Sequence, residues 1–76
     1  MRKVYRLHMC HKRFLKNEFG IRNIDVLSPK ELHLLWEAVR KIEVWEFSQP
    51  DVEETGSERG EIATWIGDYI EDNYWK

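Results

Sequence analysis

The residue types best suited to chemistry lie together near the N-terminus: His8, Cys10 and His11. Imidazole and thiolate groups are ligands that zinc prefers, and a thiol beside a base can act as a nucleophile. A structural zinc site needs four ligands, however, and this spacing matches none of the common patterns. We therefore predict that Cys10 is a small core residue with the two histidines at the edge of the core. No metal, cofactor or catalytic residue is assigned.

Carboxylates are the other abundant reactive groups, with 14 Asp and Glu in 76 residues. Two carboxyl groups across a cleft can act as acid and base in glycoside hydrolysis. A chain this short has little room for a substrate cleft. The sequence also lacks the motifs of phosphate-binding loops, nucleophile elbows and zinc proteases. We expect a protein without enzymatic activity.

One short segment resembles a DNA-binding motif. Ala63 and Gly67 have the Ala-x-x-x-Gly spacing that is found at the turn of helix-turn-helix proteins. The segment that would form the recognition helix carries three carboxylates, Asp68, Glu71 and Asp72. Binding to DNA depends on neutralising phosphates with Lys and Arg, so this charge is wrong for the motif. We do not assign the chain to that class.

The net charge of −2 conceals a strong asymmetry along the chain. Residues 1–30 have eight Lys and Arg against two acidic residues, whereas residues 31–76 have four against twelve. This polarity predicts two charged faces on the folded protein. The acidic face comprises Glu61, Asp68, Glu71 and Asp72, with Trp75 beside them. The basic face comprises Arg2, Arg6, Lys12, Arg13 and Lys16.

The clearest element is a helix that begins at Pro29. Ser28 and Glu31 have the spacing of a capping box around this proline. The apolar arc of the helix comprises Leu32, Leu35, Trp36, Val39 and Ile42. Glu43 and Glu46 intrude on that arc, which predicts that the helix stops or turns away after about residue 42. A thinner apolar stripe on the opposite side, formed by Leu34, Ala38 and Trp45, predicts a helix covered on two sides.

Two further helices are predicted around this one. The first covers residues 8–19 with Gly20 as its C-cap, while residues 2–7 stay open between helix and strand. The other begins after a loop at residues 48–57, with Thr55 or Ser57 as its cap, and runs nearly to the C-terminus. On that last helix, Gly67 would permit close approach of a neighbouring helix.

These elements predict one mainly α domain over residues 1–76, a compact three-helix fold. A short two-stranded element remains open, formed by the N-terminal residues and the 21–27 connector. A single cysteine excludes an internal disulfide and favours a reducing, cytoplasmic compartment. We expect no secretory signal and no membrane span, because no apolar run is long enough.

The function expected from these patterns is binding of another protein that has a basic surface. The acidic face would dock there, with Trp75, Tyr74 or Trp45 as an aromatic anchor. The alternative is a nucleic-acid-binding protein that uses the basic face. A third interpretation is that the two faces answer one another, within one molecule or between copies in a homo-oligomer. In size and charge polarity the chain resembles small accessory regulators of phages and other mobile elements.

Overall fold

The computed structural model describes residues 6–50 and 56–75. They form helices α1 (Met9–Phe19), α2 (Pro29–Phe47) and α3 (Glu58–Tyr74), with a 3₁₀ turn at Ile24–Val26 between α1 and α2. The predicted mainly α, three-helix fold is therefore confirmed. No strand forms within these two ranges, so the 21–27 connector does not supply the strand that the two-stranded element required. The connector turns through the 3₁₀ helix instead, and residues 1–5 lie outside the described ranges.

Helix α1 begins and ends close to the predicted positions. His8 is its N-cap, and residues 6–8 precede it without regular structure. At the C-terminal end Gly20 adopts the left-handed conformation, with φ at 69°, and its N–H donates to the carbonyl of Lys16. A residue with a side chain is strained at such a φ, which explains why a glycine ends this helix.

Helix α2 begins at Pro29 as predicted. The Ser28 hydroxyl accepts from the Glu31 N–H at 3.2 Å, and the Glu31 carboxylate accepts from the Ser28 N–H at 3.0 Å, which completes the capping box. The prediction that the helix stops or turns away after about residue 42 is wrong, since α2 continues to Phe47.

The two intruding carboxylates are tolerated because each has polar partners on α3 or just before it. Glu43 accepts from the Thr64 hydroxyl at 2.5 Å, and Glu46 accepts from the Ser57 hydroxyl at 2.8 Å. A half-buried carboxylate that accepts hydrogen bonds avoids the cost of an unpaired buried charge, so the helix does not have to turn toward water at that point. Ser57 also caps α3 by accepting from the Gly60 N–H at 3.0 Å; the other candidate cap, Thr55, lies outside the described residues.

The core lies where α2 packs along α3 and α1 packs against α3. Its buried apolar side chains come from all three helices and the 3₁₀ turn. They are Phe14, Leu15, Ile24, Leu32, Leu35, Val39, Ala63, Ile66 and Ile70. The close approach predicted at Gly67 is present, and the neighbour there is Arg40 of α2. A Cβ atom added to Gly67 would lie 2.6 Å from Arg40 Cζ.

The second apolar stripe of α2 is only partly covered by described residues, in contrast to the sequence-based expectation. Leu34 is 56% exposed and Trp45 is 63% exposed, while Ala38 is half-buried. The core-facing flank of α2 is the one that buries Leu32, Leu35 and Val39, whereas Phe19 of α1 lines a hollow with Leu34 and Ala38 of the second stripe.

Candidate functional site

The histidine and cysteine cluster has a structural arrangement that differs from the prediction. Cys10 is exposed, and the buried residue is His11, at 6% exposure. The imidazole of His11 stacks on the Trp65 ring, with 5.2 Å between centroids and 6° between planes. His11, Phe14 and Leu15 take the core-facing positions of α1. Cys10 lies beside this arc, which is why the prediction of a core cysteine is wrong.

His11 accepts a hydrogen bond at the start of its own helix. The His8 N–H donates to His11 Nδ1 at 2.9 Å, so this ring nitrogen carries a lone pair. Burial, and after it the nearby His8, lower the pKa of His11. Within residues 6–50 and 56–75, no group of three or more His, Cys, Asp or Glu side chains is placed to hold a metal ion.

The most connected polar group in the described part of the chain is the guanidinium of Arg40. It donates to Glu43 at 3.0 Å and to Asp68 at 2.9 Å, and it also bonds Glu71. The Trp36 indole N–H donates to the same Glu71 carboxylate at 2.7 Å. Helix α2 is thereby joined to α3 along one side of the pair.

The electrostatics of this cluster favour its charged form. Burial opposes the charge on Arg40, but hydrogen bonds to Glu71, Asp68 and Glu43 outweigh it and raise the pKa of Arg40. Hydrogen bonds from Arg40 and then Trp36 lower the pKa of Glu71. The Glu71 carboxylate is therefore held ionised, and its bond to Arg40 fixes its position.

The predicted acidic face lies along one side of α3. Asp68 and Glu71 belong to the Arg40 cluster, while Glu61 is exposed and Asp72 is half-buried farther out. Trp75 is 40% exposed at the end of the helix. With Glu43 of α2 added, the described residues of this side include five carboxylates and the Arg40 guanidinium, which gives it an excess of negative charge.

The aromatic end of the acidic face is built by both helices. The Trp75 ring lies 5.1 Å from the Trp36 ring and 5.7 Å from the His33 ring, measured between centroids. Trp36 also contacts the Arg40 guanidinium, at 5.8 Å from the ring centroid. The aromatic group is thus continuous with the Arg40 cluster.

The basic face lies on α1 and the residues around it. Lys12, Arg13 and Lys16 are exposed on the helix, and Arg6 is exposed just before it. Arg2 is outside the described residues. None of the ion pairs between described residues uses these four cations. Arg22 of the connector lies with them and lines two adjoining hollows together with Lys12.

Sequence reasoning missed Arg40, Trp36 and Arg22 as members of these surfaces. Arg40 had a faint signal, since it lies three residues from both Glu37 and Glu43 on α2, but neighbouring Lys41 shares that setting. Arg22 had none, because its position beside α1 depends on how the connector folds back.

Comparison of the chain with protein-family models, with curated proteins and with solved structures finds no match. Of the helices in the described ranges, none combines the length and apolar character that crossing a bilayer requires.

Proposed function

We propose that the protein is a non-enzymatic binding module that docks its acidic face on a basic site of a larger protein. The acidic face is the set predicted from the sequence. It comprises Glu61, Asp68, Glu71, Asp72 and Trp75. The protein would act by occupancy, as a stoichiometric regulator or inhibitor. The observation that carries the proposal is the Arg40 cluster, which holds carboxylates from two helices and borders on Trp75.

Pre-organisation of the acidic face supports binding. Association costs free energy for each flexible side chain that must be ordered, about 0.5–1.5 kcal/mol. Asp68 and Glu71 are already ordered by Arg40, so a partner would meet fixed carboxylates. Fixed charges of one sign also guide encounter with a complementary surface and disfavour partners of like charge.

Trp75 is the best-placed aromatic anchor for such a contact. Tryptophan is among the residues that contribute most at protein interfaces, especially when packed within a well-formed surface. The ring of Trp75 is partly exposed and packs against the rings of Trp36 and His33. Trp45 is more exposed, but at 100° per residue it lies about 140° around α2 from Arg40, away from the acidic face.

The partner that fits this face has a basic surface with an apolar recess. Carboxylates ordered along a helix produce a field like that of a phosphate backbone, so a basic site of a nucleic-acid-handling protein has the required chemistry. Small regulators of phages and other mobile elements resemble the present protein in size and charge polarity.

The test is affinity capture from nuclease-treated cell lysate, followed by binding measurements with the purified captured protein. Asp68 and Glu71 are unsuitable for charge reversal because their loss would disturb Arg40. The variants are therefore Glu61→Lys with Asp72→Lys, and separately Trp75→Ala. Loss of a hot-spot tryptophan costs more than about 1.4 kcal/mol, so Trp75→Ala should weaken binding at least about tenfold.

Trp45→Ala is the matched control, because it removes an exposed tryptophan of α2 away from the acidic face. It should bind as the unmodified protein does, and far-ultraviolet circular dichroism should show equal helix content in all variants. Undiminished binding by both test variants would refute the proposal. So would failure of the unmodified protein to capture any protein at moderate salt.

A further inference from the structure

The described cations of the basic face, together with Arg22, line a depression that no ion pair between described residues neutralises. We infer that this depression binds the backbone of single-stranded nucleic acid. It is named here the basic channel, and its cations are Arg6, Lys12, Arg13, Lys16 and Arg22. This inference goes beyond the proposed function and uses a different surface, so either can fail without the other.

Two adjoining hollows make up the basic channel. The first has a volume of about 530 Å³, and its polar lining includes Arg6 and Asn23. The second also has a volume of about 530 Å³, and Arg13 and Lys16 line it. Lys12 and Arg22 line both hollows, so the two adjoin, and basic residues occur in the lining of each.

The charge of the channel requires a polyanion rather than a single small anion. Five cations line it, and the carboxylate of Asp25 is the one acidic group among the described residues of that lining. Asp25 accepts a hydrogen bond from the Tyr74 hydroxyl. Phosphates spaced along a strand would neutralise successive cations and release their counterions, which is the main source of affinity for nucleic acid.

The apolar part of the lining favours a single strand over a duplex. Met9 is 72% exposed at one hollow, and the half-buried Tyr69 and Leu7 line the other. Unpaired bases present apolar faces that pack on such side chains, whereas a duplex hides them. Each hollow has the volume of a small-molecule pocket, roughly 300–1,000 Å³, which suits one base and its sugar rather than a double helix.

The experiment measures fluorescence anisotropy of a labelled 20-nucleotide oligothymidine, an oligouridine of equal length and a 20-base-pair DNA duplex. The single strands should bind more tightly than the duplex. With about four phosphates contacted, log K falls with log salt at a slope near −2.8, so affinity should drop about 50-fold between 50 and 200 mM salt. The double variant Lys12→Gln, Arg22→Gln should reduce that slope to about −1.4, because two contacts are lost.

The matched control is Lys30→Gln, Lys41→Gln, which removes two exposed lysines of α2 outside the channel lining. It should bind the single strands as the unmodified protein does. Glu61→Lys with Asp72→Lys should also bind them, which separates this result from the proposed function. The inference is overturned by absence of binding at 50 mM salt or by equal or tighter binding of the duplex. An equal loss in the control pair overturns it as well.

Discussion

At the level of single residues, His11 is the side chain whose protonation state the fold specifies most clearly. Its Nδ1 atom accepts from the His8 N–H, and its ring is stacked on Trp65. Protonation of Nδ1 would place a second N–H opposite the donor, so the bond at the start of α1 could not form. It would also bury a positive charge next to His8. Folding therefore favours the neutral ring.

This preference predicts a dependence of stability on pH. The pKa of His11 in the folded protein is lowered from its ordinary value of 6.5, so the unfolded chain binds the proton more readily. The contribution is fully present above about pH 6.5 and is lost as the pH falls through the folded pKa. Urea unfolding at pH 7.5, 6.5 and 5.5 should show a falling free energy of unfolding for the unmodified protein.

His11→Gln should remove most of that fall, because glutamine does not titrate. His33→Gln is the control, since it replaces an exposed histidine of α2 by the same residue type. If His11→Gln loses stability between pH 7.5 and 5.5 as steeply as the control does, the buried ring is not the titrating group.

Residues also show where sequence reasoning reaches its limit. The burial of His11 in place of Cys10 depends on Trp65, which is 54 positions along the chain and supplies the stacking surface. Periodicity places both residues near the core side of α1 but cannot rank them. A hydrophobicity scale that treats cysteine as apolar and histidine as polar predicts that Cys10 is the more buried of the two, which is the wrong order.

At the level of elements, the helix starts were predictable and one helix end was not. The Ser28 cap, the Ser57 cap and the Gly20 end are read from a few neighbouring residues, because capping is a local interaction. The extension of α2 to Phe47 depends on Thr64 and Ser57, which approach Glu43 and Glu46 only in the folded protein. Local patterning therefore gave the fold class but not this boundary.

The packing of α2 on α3 should depend strongly on Arg40. Its side chain is 22% exposed and joins Glu43, Asp68 and Glu71. Replacing it with leucine leaves three carboxylates close together without a counterion. The three carboxylates are 25%, 35% and 45% exposed, so solvent screens them in part and the loss lies below the about 3–5 kcal/mol of a fully buried pair. Arg40→Leu should lower the free energy of unfolding by roughly 1–3 kcal/mol. Urea denaturation with a fixed m-value would measure it.

Arg59→Leu supplies the comparison for Arg40→Leu. Arg59 bonds Glu18 and lies 3.7 Å from Glu46, but its side chain is 45% exposed. Ion pairs of that kind contribute about 0–1 kcal/mol, so this variant should be only slightly destabilised. Equal losses in the two variants would show that the Arg40 cluster adds nothing beyond ordinary surface pairing.

At the level of the whole molecule, the charge asymmetry of the sequence becomes a separation in space. The acidic face runs along α3 beside α2, and the basic channel lies on α1 and the connector. Between α1 and the other helices, the one ion pair of the described residues joins Glu18 to Arg59, and neither belongs to those two surfaces. These ion pairs therefore do not cancel the two fields within one molecule. The sequence predicted both surfaces in outline, because the number of charged residues in each segment does not change when the chain folds.

This separation makes a last prediction about association between copies. The acidic face of one molecule should attract the basic channel of another at low salt, where the Debye length is about 30 Å at 0.01 M. At 0.15 M it is about 8 Å, and exposed pairs then contribute about 0–1 kcal/mol each, too little to hold a dimer. Sedimentation equilibrium should accordingly give the 9.3 kDa monomer at 150 mM salt and weak association at 10 mM.

Lys12→Gln with Arg22→Gln should reduce the low-salt association, because it removes charge from the channel that would receive the acidic face. A dimer that persists at 150 mM salt would contradict the electrostatic account. Such a dimer would need apolar burial, and the exposed stripe of α2 that contains Leu34 and Trp45 is the surface able to supply it. Trp45→Ala would then dissociate the dimer at high salt, whereas under the electrostatic account it leaves sedimentation unchanged at both salt concentrations.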